Sequence, residues 1–179
     1  MIVFPIAASG QRLVFSSTVL EHFEKHQQLR WWQREAGGQL FVRLALPDIL
    51  IEEATGPRPS DWRTRYSYRP NRSAEQREIA SLHARGLHFI GDWHTHPESL
   101  PTPSARDVAS MHELVTKSIH AFNGFVLVIV GTNPLPGGLC VSVFNGSDAL
   151  PLSAMAEDQE AKCNQAGTPN TMAKRTAAR

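Results

Sequence analysis

A chain of 179 residues has room for one full hydrophobic core but not for two. Its 18 Lys and Arg against 17 Asp and Glu leave a formal net charge of +1, which argues against a dedicated nucleic-acid binder without excluding a local basic patch. Two cysteines close at most one disulfide and cannot build a Cys-rich zinc site, whereas eight histidines raise the question of a metal. No segment reads as an export signal. The longest apolar stretch, 124–130, is far short of the ~20 residues that cross a bilayer. A cytoplasmic protein with reduced thiols is expected.

In chain order, residues 2–6 and 12–15 read as two strands around a Ser9-Gly10 turn. Thr18 with Glu21 reads as a capping box opening a helix over 19–33, with Val19, Leu20 and Phe23 on one side. Gly37-Gly38 ends that segment, and 39–46 with 48–53 form a strand pair joined at Pro47. The stretch 55–72 holds Arg58, Arg63, Arg65, Arg69 and Arg72 among prolines and aromatics, and reads as a loop or irregular edge strand. Ser73 with Gln76 opens a second helix that Gly86 closes. Residues 87–93 form a strand running into His94, and a Pro-rich loop leads to a third helix from Ser104. That helix has an apolar face of Val108, Met111, Val115 and Ile119. Residues 124–132 and 139–144 are the last strands. From 151 onward there is no Phe, Trp, Tyr, Ile or Val, so a domain over 1–150 with a flexible tail over 151–179 is expected. Strands and helices interleave around one core, which predicts a mixed α/β sandwich.

Chemistry concentrates in Asp92-Trp93-His94-Thr95-His96-Pro97 and in Ser104-Ala105-Arg106-Asp107. On an extended chain, residues i and i+2 share a face, so His94 and His96 offer two imidazoles side by side. Pro97 cannot donate to a ladder and marks the strand's end, which is expected to leave the pair at a sheet edge. Asp107 lies in the first turn of the third helix, four residues before Met111 on its inward face. Two His and one carboxylate form a catalytic zinc set with a fourth position open for water. Taken alone, a His-x-His pair is common by chance, and Ser104-x-x-Asp107 is an ordinary helix cap. The joint spacing is what singles them out.

His94, His96, Pro97, Ser104 and Asp107 together resemble the JAMM motif of the JAB/MPN metalloproteases. That family places a glutamate at the end of its first helix, next to a Gly-rich strand start, and Glu35 in Arg34-Glu35-Ala36-Gly37-Gly38 fits that place. The likeness runs over about 20–144 and is nearest to the stand-alone JAB proteins of bacterial anti-phage operons. The resemblance implies the JAB/MPN (cytidine-deaminase-like) fold, a central mixed sheet flanked by about three helices. It also implies one catalytic zinc ion per chain on His94, His96 and Asp107. The expected activity is hydrolysis of the amide joining the C-terminal tail of a ubiquitin-like protein or cyclase to a target lysine, made by a partner activating/conjugating enzyme fusion. Glu35 would move the proton from water to the leaving amine. Ser104 would hold the oxyanion, a role that competes with helix capping. Two rival readings share the spacing: a non-catalytic MPN scaffold and a DNA-associated JAB domain.

His22 and His26 lack the zincin order and read as a solvated helix face. His83, His88, His112 and His120 read as surface or packing residues, and Cys140 and Cys163 as buried or incidental. Trp31-Trp32 reads as core and rim, with one ring lining the cleft as the alternative. The arginine segment is either a solvated loop or a docking surface for the modifier's tail; its aromatics would also suit single-stranded nucleic acid.

Overall fold

The structure, a computed structural model, describes residues 1–6, 9–118, 120, 122–146 and 148–155. Strands β1 (Ile2–Ile6) and β2 (Gln11–Phe15) form a hairpin. Helix α1 (Ser17–His26) follows, then the hairpin β3 (Gly37–Ala45) and β4 (Asp48–Ala54). The arginine segment folds as a small antiparallel ribbon, β5 (Trp62–Arg63) and β6 (Tyr68–Arg69). Helix α2 (Arg72–His83), β7 (His88–Thr95), α3 (Ala105–Lys117), β8 (Phe125–Val130), β9 (Leu139–Phe144) and β10 (Ala149–Leu152) complete the described chain.

One eight-stranded sheet runs β1-β2-β4-β3-β7-β8-β9-β10, parallel at β2–β4 and β7–β8 and antiparallel elsewhere. The mixed α/β sheet with three helices is the expected architecture. Strand β8 is buried at all six positions. Its alternate residues feed two cores, as a strand covered on both faces must. Val126, Val128 and Val130 pack with Val19 and Phe23 of α1. Phe125, Leu127 and Ile129 pack with Met111 of α3. Leu82 of α2 closes over Phe41 and Leu87.

Several boundaries differ from the sequence expectation. The cap of α1 is Ser16, whose Oγ accepts from Val19 N at 3.3 Å, rather than Thr18. The helix stops at His26 because Gln27 and Gln28 are buried and their side chains bond elsewhere. Gln27 Nε2 donates to the carbonyls of Gly131 and Asn133. These contacts override the helical propensity of 27–33. Asn71, not Ser73, caps α2. The His-x-His segment does not lie at a sheet edge: β7 is central, between β3 and β8. The expected boundary at 150 falls inside β10, and Met155 N donates to Val3 O at 2.8 Å, tying the chain after β10 back to β1. Leu152 packs on the core beneath. The rest of the expected tail, with Cys163, and Ile119 of the third helix's predicted face lie outside the described residues.

The corrected cap is testable by chemical denaturation. Ser16→Ala is expected to cost about 1 kcal/mol, whereas Thr18→Ala should stay within about 0.5 kcal/mol.

Candidate metal centre and active site

The register of β3 against β7 shifts between Leu40 and Phe41, where Gly91 sits at φ 152°. The bulge skips one residue of the alternation. Ile90 and Trp93 therefore share the core under α1, while Phe89 packs with Met111 on the other side. Beyond the bulge, Trp93 and Thr95 point toward α1, and Asp92, His94 and His96 line a cleft of about 510 Å³ with the start of α3. Gly91 tolerates no side chain, since a Cβ there would stand 1.9 Å from Val126 O.

The five residues singled out from sequence, Glu35, His94, His96, Ser104 and Asp107, all line this cleft. His94 Nε2 lies 3.1 Å from His96 Nε2 and 3.4 Å from Asp107 Oδ1, and His96 Nε2 lies 3.7 Å from Asp107 Oδ2. A tetrahedral zinc with bonds of about 2.0–2.1 Å sets its ligand atoms about 3.4 Å apart. The triangle has the size that such an ion requires, and its donors are of the right kind. Among the described residues this is the one group of three or more His, Cys, Asp or Glu that meets metal-ligand spacing.

Asp107 is held by a reciprocal capping box. Its Oδ2 accepts from Ser104 N at 2.7 Å, and its own N donates to Ser104 Oγ at 3.2 Å. Burial opposes its ionisation, but the His94 and Ser104 hydrogen bonds outweigh that and hold the carboxyl well below the usual range. Capping uses an acceptor lone pair of Ser104 Oγ and leaves its proton for another acceptor, so the two roles expected of this residue are compatible.

Glu35 is only 6% exposed. Burial, and then the charge of Asp107, push its carboxyl up to about 7. Its backbone is clamped on both sides. Glu35 N donates to Thr64 O at 2.7 Å, and Arg63 Nε donates to Glu35 O. The next residue is locked by Thr95, whose Oγ1 accepts from Ala36 N at 2.9 Å and donates to Gln28 Oε1 at 3.0 Å. Gly37 then starts β3 with no room for a Cβ, which would meet the Tyr68 ring and Trp93 O.

Sequence reasoning missed this supporting set of Gln28, Arg63 and Thr95. Thr95 carries a readable signal: it sits between the two histidines, so it must face the opposite side of the strand. Gln28 and Arg63 carry none, because their partners are distant in sequence. The arginine segment also departs from a solvated loop. Asp61 accepts from Arg58 N, Asn71 N and Tyr68 OH, and Arg58 pairs with Glu78. His22 and His26 are not a solvated face either, since both rings pack on Trp93. Burial, and then the neighbouring His26, lower the His22 pKa to about 4. Trp31 and Trp32 are neither core nor part of the cleft lining; both are exposed.

The family described as prokaryotic homologs of the JAB domain matches residues 18–141. The chain belongs to that family. A curated Pseudomonas aeruginosa (strain BWHPSA011 / Pa011) protein named CD-NTase/cGAS isopeptidase is 35% identical over 143 residues, covering 74% of this chain and 89% of its own. An Escherichia coli (strain TW11681) protein of the same name is 28% identical over 122 residues, covering 66% and 76%. Among solved structures, a protein from Desulfitobacterium hafniense superposes with TM-score 0.57 at 16% identity over 78% of this chain and 88% of its own, a likeness of fold.

Two outcomes follow from this geometry. Thr95→Val keeps the shape but leaves Ala36 N and Gln28 Oε1 unpaired, and should cost about 2 kcal/mol in denaturation. The second concerns protein treated with chelator. There, folded Glu35 keeps its proton up to about pH 7, while the unfolded chain releases it near 4.5. Its contribution is fully present below pH 4.5 and is lost as pH rises through 7, by about 3.5 kcal/mol at about 1.4 kcal/mol per unit. Glu35→Gln should therefore gain stability relative to wild type across that window; a pH-independent difference would contradict the assignment.

Proposed function

We propose that the chain is a zinc-dependent isopeptidase that hydrolyses the amide bond joining the C-terminal tail of a CD-NTase, or of a ubiquitin-like protein, to its target. The observation that carries this reading is the His94–His96–Asp107 triangle with a protonatable Glu35 in the same cleft. The names of the curated relatives support the substrate class.

His94, His96 and Asp107 would hold the ion, the two imidazoles as neutral donors and the carboxylate supplying compensating charge. Burial, and then the neighbouring His94, lower the His96 pKa and favour its neutral form. Bound zinc supplies Lewis acidity, which polarises a carbonyl and acidifies water. Glu35, near neutrality in its affinity for a proton, is suited to take one from the attacking water and deliver it to the leaving amine. The Ser104 hydroxyl proton, free of the capping bond, is available to the developing oxyanion. The capping box fixes Asp107, and the Arg63 and Thr95 contacts fix the backbone on either side of Glu35, so these groups are positioned before substrate arrives.

The reading places the reaction in the cytoplasm, opposing a partner conjugating enzyme in anti-phage defence. No helix among the described residues is long and apolar enough to cross a membrane.

Metal analysis and a cleavage assay test the reading together. Glu35→Gln is expected to retain about one zinc per chain yet cleave a conjugate 10²–10⁴-fold more slowly, on the order of what a general acid–base group contributes. His96→Ala should lose both zinc and activity, and chelation should abolish cleavage until zinc is restored. Glu35→Gln cleaving at the wild-type rate with zinc bound would overturn it.

A further inference from the structure

We propose that Trp31, Trp32 and Tyr66, with the arginines around them, form a docking surface for the folded body of the tail-donating protein, outside the catalytic cleft. This rests on the isopeptidase reading above and deepens it by assigning a second recognition site.

Trp31, Trp32 and Tyr66 are 76%, 61% and 73% exposed. Single exposed apolar residues are ordinary, but a contiguous group of large aromatics left in water marks a surface that another molecule covers. Their contacts show them to be contiguous. The Trp31 and Trp32 rings meet edge-on at 5.7 Å, and the Arg30 guanidinium lies 6.0 Å from the Trp32 ring. Arg65 Nη1 donates to the carbonyls of Arg30 and Trp31, while its guanidinium lies 5.5 Å from the Tyr66 ring. The backbone beneath is fixed as well: Gln28 Nε2 donates to Gln33 O and Arg65 O, and Gln33 Oε1 accepts from Arg30 N. Exposed rings on a rigid frame lose little freedom on binding, which is how interface anchors work.

Charge and chemistry narrow the occupant. Among the described residues, Arg30, Arg34 and Arg65 form no ion pair. Over 27–39 the one acid is Glu35, and over 62–76 it is Glu75, both buried. The surface is thus aromatic with an uncompensated positive rim, complementary to an apolar patch edged by Asp and Glu. Arg65 and Tyr66 also line the cleft, so the surface adjoins the site of cleavage. On the isopeptidase reading the tail donor is the partner that the relatives' names point to, and its tail must enter the adjoining cleft, which brings its folded body to this surface.

The test compares two substrates with the same leaving amine: a purified bacterial CD-NTase from the same genome, amide-linked at its C-terminus, and the isolated peptide of that C-terminal tail. Trp31→Ala/Trp32→Ala is expected to lower kcat/KM about thirtyfold or more on the folded substrate, mainly through KM. It should leave the peptide within about twofold. Arg30→Glu/Arg34→Glu, which touches no core residue, should weaken binding of the folded CD-NTase and flatten its salt dependence. Calorimetric titration of the folded CD-NTase reads the surface independently of turnover. If wild type binds it through the tryptophans but cleaves neither substrate, the isopeptidase reading fails and the docking surface stands. Equal losses on both substrates, unchanged cleavage of the folded one, or equal binding by wild type and variant would overturn the proposal. Tryptophan-dependent binding of an oligo-dT strand without binding of the CD-NTase would overturn it too, by assigning the surface to nucleic acid.

Discussion

Between β3 and β8 the backbone of β7 passes so close at Gly91 that a Cβ would overlap Val126 O. The strand bulges there, and the rest of the site depends on that bulge. It sets the phase with which later side chains leave the sheet. Trp93 and Thr95 turn toward α1, where one fills the core and the other ties down Ala36. His94 and His96 turn the opposite way to meet Asp107. A slip of one residue would send both imidazoles into the apolar core and Trp93 into the cleft. Glycines at 37, 38 and 91 are the local condition for this packing, because each stands where neighbouring backbone or a ring occupies the space of a side chain.

The same crowding produces the electrostatics. Two carboxyls share the cleft, yet their environments drive them in opposite directions. Asp107 sits at a helix N-terminus among donors and stays ionised. Glu35 is buried near that negative charge and keeps its proton to about neutrality. One is thereby suited to complement a cation and the other to exchange a proton. Neither property belongs to the residue type; both follow from how each carboxyl is buried and which charged or hydrogen-bonding groups stand beside it.

The arginine segment shows how a charged stretch can serve inside and outside a protein at once. Arg58 and Arg63 are spent on internal partners: Asp61 and Glu78 for the first, backbone carbonyls beside Glu35 for the second. Arg65 also turns inward, holding the carbonyls of Arg30 and Trp31. These contacts close the loop after α1 against the ribbon and bring Glu35 to the cleft. They also leave the Trp31 and Trp32 rings outside, since the backbone that carries them is held from the inner side.

Much of this protein was legible in its residues alone. Apolar, β-branched runs bounded by turn residues located the main strands of the sheet. The spacing of His94, His96, Ser104 and Asp107 singled out the candidate ligand set, because a two-residue strand period puts the two histidines on one face and one helical turn puts Ser104 beside Asp107. Local patterns did not locate the end of α1, since Gln27 and Gln28 are good helix formers until Gly131, Asn133, Arg65 and Thr95 offer them bonds. Nor did they reveal that His22 and His26 pack on Trp93, or that β7 lies in the middle of the sheet. The sequence determined which residue types stand at the candidate ligand positions, since His94, His96, Ser104 and Asp107 lie at short fixed separations. Tertiary structure alone decided the phase of β7, the proton affinities of Glu35 and Asp107, and the exposure of the tryptophans. Each of these depends on groups far apart along the chain and adjacent only after folding.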